Sequence, residues 1–528
     1  MKKYLPIICI LVLGIILRFY HNLDISLWHD EAFSALMLRY PWQEMFYRLG
    51  LDVHPPAYYV ALRLWHYAFG DSLLALRGFS IFFGVGTIWA GWMFVKEAFK
   101  NEKAALWAAL LLAINPFALR FATEARMYTF GAFFALLAGY FLIRALNFQK
   151  LFYEYHFQNM PNLPDAIKSR RLMVWHYLGF TVSTAIIIYT HYYLFFTAAA
   201  LGIYGLIYLF FHHQGGLKKY YPLLISYFLI FISFLPWLKT FLFQLGQVGA
   251  GYWIPKMNLW SIPATFWDML LGFSRDIGNP QTQMWLTVTF LFSLFMLFMF
   301  LRRTESFNKW LVVFTVLFPF LGAIGFAVLA RLKGSSSSVY LDRYFLFASV
   351  YYSIALAVWL KEIKIKNLSI GLFIVYVCLN FVAFLNYWDK LDVSSKPGMA
   401  AAAKFLHANV EPKQHIFLGT SFEFFNYKYY NQTGFGTPVS PLLYTGGRYK
   451  ASQMSHIEGV AMLTDRDLLP NFRDFVNTGD TVWMVWTNAF GSNKPDLPLN
   501  WTQIDEKEYP EVRPYPGTSI YVSEYKVN

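Results

Sequence analysis

The chain reads as an α-helical polytopic membrane protein that ends in a small α/β domain outside the membrane. Three observations lead there. Apolar residues fill 57% of the 528 positions and charged residues only 14%, with a mean hydropathy of +0.38. Soluble domains average about 45–50% apolar and about 25% charged residues. Eleven apolar runs are candidates for membrane spans, each of which needs about 20 mostly apolar residues. After Tyr387 the composition turns polar, mixed and rich in turn residues.

In order, Met1-Lys2-Lys3 precedes the first apolar run in the manner of a signal peptide. No small-residue cleavage site follows and the run is long, so it is read as an uncleaved first span. The candidate spans are Leu5–Tyr20, Leu73–Val95, Ala104–Phe117, Thr129–Leu146, Val174–Tyr189 and Tyr192–Phe211, then Pro222–Phe243, Trp285–Leu301, Trp310–Ala330, Tyr344–Leu360 and Leu368–Tyr387. With the N-terminus in the cytoplasm, every inner connection is basic. Lys96, Lys100 and Lys103 lie in one, Lys150, Lys168, Arg170 and Arg171 in the next, and Lys218, Lys219, Arg302, Arg303, Lys309, Lys361, Lys364 and Lys366 in the others. That is the positive-inside pattern. It accounts for the net charge of +13 without nucleic acid as a partner. The outer side then receives His21–Asp71, Ala118–Tyr128, Gln244–Gln283, Arg331–Arg343 and the C-terminal domain.

The expected domains are therefore 1–387 in the membrane, with a first outer loop at 21–71, and 388–528 outside it. In the loop, Glu44–Leu49 and Pro56–Phe69 have helical spacing and aromatic anchors, which suits helices lying at the interface. In the outer domain, Met399–His407 predicts a helix, and His415–Leu418, Thr481–Trp486 and Ser519–Glu524 predict strands. Cys9 and Cys378 both lie in apolar runs, which supports neither a disulfide framework nor a thiolate metal site.

Four clusters carry the polar chemistry. Asp30 and Glu31 form an acidic pair soon after the first span. One reading is a general base at the membrane surface; the other is an N-cap at Asp30 with first-turn support from Glu31. Asp52-Val53-His54-Pro55-Pro56, followed by Tyr58, holds an imidazole in a rigid turn, for function or merely as a solvated loop. Thr123-Glu124-Ala125-Arg126-Met127-Tyr128 offers an arginine for phosphate or sugar hydroxyls, or an interfacial ion pair with a belt tyrosine. Arg343 stands where the tenth candidate span leaves the outer side, either against a lipid phosphate or as a snorkelling side chain, with Arg331 and Lys333 as competitors. His191, Tyr192 and Tyr193 mark another outer turn, read as structural in preference to a substrate lining. Their shared side is informative, because a passive bundle has no use for such a convergence of ionisable groups.

The acidic pair after the first span, the DVHPP run in the first outer loop and the EARMY run before the fourth span together resemble the GT-C membrane glycosyltransferases. Within that fold they look most like the protein O-mannosyltransferase-like family and the related bacterial lipid A aminoarabinose transferases. The resemblance implies a GT-C fold over Leu5 to Tyr387 and a polyprenyl-phosphate-linked sugar as donor. It implies inverting transfer to an envelope glycan, lipid or protein, with no required cofactor and a divalent metal as an option. Asp30 maps onto the catalytic base, and Glu31 onto a group that orients acceptor or base. Asp52, His54, Tyr58, Glu124, Arg126, Tyr128 and Arg343 become substrate-binding candidates, with Arg126 and Arg343 chosen for the phosphate by position and charge. The expected α/β outer domain departs from the β-trefoil of the eukaryotic O-mannosyltransferases. The competing class is a polytopic transporter or a flippase for lipid-linked glycans, which predicts mid-span charges and repeat symmetry. Here the charges gather at one surface and no repeat is found.

Overall fold

The computed structural model describes residues 2–157, 163–213, 216–250, 254–272, 278–332, 338–513 and 517–528. Its helices, in chain order, begin with α1 (Leu5–Phe19), α2 (His29–Met37), α3 (Trp42–Leu51), α4 (Ala57–Phe69), α5 (Leu73–Phe99) and α6 (Glu102–Ile114). They continue with α7 (Pro116–Ala122), α8 (Tyr128–Phe157), α9 (Leu163–Ile188), α10 (Leu194–His212), α11 (Tyr221–Ala250) and α12 (Ser261–Leu271). The last six are α13 (Pro280–Arg303), α14 (Lys309–Leu332), α15 (Leu346–Lys361), α16 (Lys366–Leu391), α17 (Gly398–Asn409) and α18 (Ser421–Thr433). The chain divides into two compact units. One comprises Met1–Arg18, His54–Tyr58 and Ser80–Tyr387; the other comprises Phe19–Val53, Tyr59–Phe79 and Trp388–Asn528. Most of residues 21–71 thus fold with the C-terminal residues.

The first unit is helical. Among the described residues, nine helical segments are long and apolar enough to cross a membrane, and α6 with α7 makes a tenth if the pair is one span. At 15 residues, α1 is apolar but shorter. Each expected span coincides with a helix, with one difference. The third is not continuous, since α6 and α7 are bent by 58° at Asn115. The cause is local. Asn115 precedes Pro116, and the proline ring disfavours helical geometry in the residue before it. Asn115 instead caps α7 by accepting from the Ala118 N–H at 3.0 Å. The freed end of α6 is closed by Arg18, whose guanidinium donates to Ala113 O at 3.1 Å and Leu112 O at 3.2 Å. Gly84 leaves room for it, since a Cβ there would meet the Arg18 Nε at 2.9 Å. The break ends the helix early and turns the chain into Thr123–Tyr128.

The second unit holds a six-stranded sheet with strands β1 (His415–Leu418), β2 (Leu442–Tyr444), β3 (Leu468–Leu469), β4 (Thr481–Thr487), β5 (Trp501–Pro510) and β6 (Ser519–Val527). The order is β3-β2-β1-β4-β6-β5. The pairs β3–β2, β2–β1 and β1–β4 are parallel, with His415 opposite Val482 and Phe417 opposite Leu442. The pairs β4–β6 and β6–β5 are antiparallel. One face buries Phe417, Val482, Met484, Trp501 and Tyr525 in a common core. Buried parallel strands read as continuous apolar runs, which is why β1 and β4 stand out in the sequence. The edge strand β5 does not, because its middle, Thr-Gln-Ile-Asp-Glu-Lys-Glu, is exposed. Charged residues on an edge protect it against further pairing.

Candidate active site

The acidic pair lies in the second unit, at the start of α2. The helix begins at His29, and Trp28 is its N-cap without a side-chain cap bond. Asp30 is therefore not the cap, and the capping alternative falls away. Both carboxylates stand in the first turn, where the positive end of the helix dipole favours their ionised forms. Their surroundings then differ. Asp30 is half-buried, whereas Glu31 has no exposed surface.

Glu31 is held by Arg77 of α5, which is also fully buried. Arg77 Nε donates to Glu31 Oε1 and Arg77 Nη2 to Glu31 Oε2, both at 2.8 Å. This fork-to-fork geometry is the strong form of a guanidinium–carboxylate pair. The other Arg77 hydrogen bonds run to the carbonyls of Ile25 at 2.9 Å, Ser26 at 3.4 Å and Asn22. A second guanidinium, that of Arg513, lies 3.6 Å from Glu31 Oε2. A buried carboxylate persists only when paired in this way. Asp52, at the C-cap of α3, is buried in the same unit.

A small hollow in this unit is lined by Trp28, His29, Glu423, Asn426, Glu511 and Arg513, among others. Glu423 closes a capping box at the start of α18, accepting from the Thr420 N–H at 2.6 Å and from the Thr420 hydroxyl. Burial pushes the Glu423 carboxyl up to about 7. Burial, reinforced by the neighbouring Glu423, pushes Glu511 up to about 8. For a raised pKa the folded state keeps a proton that the unfolded chain has already released. The slope of stability with pH is then negative. The contribution is complete below the ordinary carboxylate value of 4.5 and is lost as pH rises through about 7 to 8. The melting temperature of the wild type is expected to fall between pH 5 and pH 8. Glu511→Gln should flatten that fall in a differential scanning fluorimetry series. A variant that keeps the wild-type slope would remove Glu511 as its cause.

The first unit gathers positive charge. His191, in the turn between α9 and α10, is buried. Its ring centroid lies 6.3 Å from that of His54, 6.2 Å from Tyr128 and 4.7 Å from Tyr344. His54 accepts a hydrogen bond at Nε2 from Arg126 Nη2 at 3.1 Å. Burial holds the His191 imidazole well below its ordinary pKa, and the neighbouring His54, Arg126 and Arg343 add to the effect. Backbone contacts fix the parts. The Ala57 N–H donates to Tyr189 O at 2.8 Å, tying the HPP turn to the end of α9. The Ser80 hydroxyl donates to Arg126 O at 3.4 Å, and the Thr129 hydroxyl returns a bond to Ser80 O at 2.9 Å. Buried Glu124 lies 3.9 Å from Arg120 Nε, and Tyr58 and Tyr128 are buried as well. Two arginines beside imidazoles are the kind of groups that suit an oxyanion such as phosphate.

Of the sequence candidates, this unit brings His54, Arg126, Tyr128 and Arg343 to His191, while Asp30, Glu31 and Asp52 belong to the other. Lys333, like residues 334–337, is outside the described residues. Among the described residues, no three His, Cys, Asp or Glu side chains converge as metal ligands, so no step is assigned to a metal. Sequence reasoning passed over Arg77 and Arg513. Arg77 carried a signal, a lone charge inside an apolar run, which membrane proteins retain for a purpose. Arg513 carried none.

Residues 53–157 match the family model described as dolichyl-phosphate-mannose-protein mannosyltransferase. The matched stretch includes His54, Tyr58, Glu124, Arg126 and Tyr128, and it starts after Asp30, Glu31 and Asp52. Among solved structures, the fold is similar to that of ArnT from Cupriavidus metallidurans. Against ArnT bound to undecaprenyl phosphate the identity is 12% and the TM-score 0.59, covering 98% of this chain and 97% of ArnT. Against apo ArnT the identity is 12% and the TM-score 0.61, covering 99% and 98%. No curated protein matches the chain by sequence. The chain thus matches a mannosyltransferase family model around the HPP and EARMY turns and shares an ArnT-like fold from end to end.

Proposed function

We propose that this protein is a GT-C membrane glycosyltransferase that moves one sugar from a polyprenyl-phosphate donor to a hydroxyl of an envelope lipid, glycan or protein. Transfer takes place on the extracytoplasmic side of a bacterial or archaeal plasma membrane, with the N-terminus in the cytoplasm. The observation that carries the proposal is the gathering of His54, Arg126 and Arg343 about His191. Cations are expensive to assemble in an apolar chain, and a lipid-linked phosphate is an anion that repays the cost. The ArnT relative of similar fold binds undecaprenyl phosphate, which supports the same class of donor here.

In the proposed reaction Asp30 accepts the proton of the acceptor hydroxyl. The acceptor oxygen forms a bond to the anomeric carbon as the bond from that carbon to the phosphate oxygen breaks, with inversion. The electron pair leaves with the polyprenyl phosphate. Arg126 and Arg343 offset the charge that grows on it, which is the main catalytic need of such a step. Because His191 stays neutral, it serves as a hydrogen-bonding and packing group there and not as a further cation.

The test uses the purified protein in liposomes with synthetic undecaprenyl-phosphate mannose and undecaprenyl-phosphate aminoarabinose. Transfer or hydrolysis of the sugar is followed beside translocation of a fluorescent lipid. The expected result is sugar release without translocation. Arg126→Ala and Arg343→Ala should each raise the donor KM by about 10–100-fold, the worth of a charge-assisted hydrogen bond. Translocation without sugar chemistry would overturn the proposal in favour of a flippase.

A further inference from the structure

Three of the polar atoms of His191 are committed to the turn between α9 and α10. Its N–H donates to Ile187 O at 3.3 Å, and its carbonyl accepts from the Leu194 N–H at 2.9 Å. Its ring Nδ1 accepts from the Tyr193 N–H at 3.2 Å. A backbone amide only donates, so Nδ1 carries no hydrogen and the neutral ring carries its hydrogen on Nε2. Packing holds the ring in that orientation. Tyr193, Tyr344 and Phe347 stand around it, with centroids 6.1, 4.7 and 5.6 Å away. Tyr193 is fixed in turn by its hydroxyl, which donates to Val339 O at 2.7 Å. Among the described residues, no group accepts from His191 Nε2.

We infer that His191 contacts the donor phosphate directly, its Nε2–H donating to a phosphate oxygen and keeping its hydrogen throughout the transfer. This deepens the reading of the site as one for a lipid-linked phosphate and rests on it. The tautomer is set by the Tyr193 amide, and the ionisable company of the ring fits the same ligand. His54 lies on the HPP turn, Arg126 and Tyr128 at the entry to α8, and Arg343 and Tyr344 ahead of α15. A protonated ring would add a charge beside two guanidiniums and set a second N–H against that of Tyr193. Both effects, with burial, keep it neutral. The arginines thus supply charge, and His191 supplies a directed donor without a further cation. Its bond strengthens as the reaction proceeds, because a singly charged phosphodiester leaves as a phosphate monoester of greater charge. An interaction that grows toward the transition state raises turnover.

Nitrogen-15 spectra of the full chain in nanodiscs, labelled at histidine, test this with undecaprenyl phosphate as the probe. The His191 signals are those missing from His191→Asn or His191→Gln. The wild type is expected to show the Nε2–H tautomer at both pH 6 and pH 8, on either side of the ordinary histidine value of 6.5. Undecaprenyl phosphate should shift the Nε2 signal and leave Nδ1 without a proton. An imidazolium, an Nδ1–H tautomer, or an Nε2 signal indifferent to undecaprenyl phosphate would overturn the inference. His191→Asn supplies the kinetic arm. An asparagine oxygen accepts from the amide two residues on, so the turn keeps its acceptor while the Nε2–H is lost. Affinity for undecaprenyl phosphate should fall about 10-fold and kcat about 10–100-fold, the range for a hydrogen bond to a charged group. Wild-type values of both would equally overturn the inference. Should His191→Asn not fold, the wild-type spectra decide alone. A shifted Nε2 signal in a protein that transfers no sugar would remove the proposed reaction and leave the phosphate contact standing, which keeps the two failures distinct.

Discussion

Asp30→Asn is expected to abolish measurable sugar transfer while leaving expression, folding and donor binding intact. General-base catalysis contributes about 10²- to 10⁴-fold, and asparagine removes the proton acceptor with almost no change in shape. Asp30 stands in the first turn of α2 without capping it, so the substitution disturbs no cap. The dipole of the helix loses a favourable anion, an effect of about 0.3–1 kcal/mol, far below what would unfold the chain. A binding measurement with undecaprenyl phosphate separates the two roles. The affinity should stay at the wild-type level while kcat collapses. Turnover within a few-fold of wild type would show that another group takes the proton. Retained folding with lost donor affinity would move Asp30 from chemistry to recognition.

Arg77→Ala is expected to be the most destabilising single substitution of the charged residues described. Both partners of the Arg77–Glu31 pair are without exposed surface, and breaking a buried pair costs about 3–5 kcal/mol because it strands the remaining charge. The carbonyls of Asn22, Ile25 and Ser26 lose their donor at the same time. Arg513, still 3.6 Å from Glu31, offsets part of the cost. Thermal unfolding in detergent should show a clear drop in the midpoint for Arg77→Ala. The double variant Arg77→Met with Glu31→Leu should recover much of it, since no carboxylate is left buried. An unchanged midpoint in the single variant would refute the stabilising role of the pair. Equal loss in the double variant would assign the effect to packing.

The local chemistry of this protein was largely legible in its sequence. The apolar runs set the helices, because a segment that must bury its own hydrogen bonds in lipid has few other choices. The continuous apolar stretches at His415–Leu418 and Thr481–Trp486 announced the central strands. Asp30, His54, Arg126 and Arg343 stood out in the sequence as polar groups near the edge of a membrane, each with a structural as well as a functional reading. The polar edge strand β5 and the aromatic helix α18 were not visible, since neither carries an apolar pattern of the usual period. The break at Asn115 was only half visible. Its Asn-Pro pair is local, but the arginine that closes the freed helix end comes from α1.

What the sequence determined by itself was therefore the membrane class, the helices, the central strands and the ionisable residue types gathered near one end of the spans. Only the tertiary structure decided which of them meet. It assigned Glu31 to Arg77, 46 positions away, and brought Arg513 to the same carboxylate. It gathered His54, Arg126 and Arg343 around a buried, neutral His191 that the sequence marked as structural. It also folded Phe19–Val53 with the residues after Trp388. The reason is the range of the forces. Span formation and helix starts depend on neighbours a few residues apart, whereas the pairing of a buried charge is settled by whichever opposite charge the fold delivers to it.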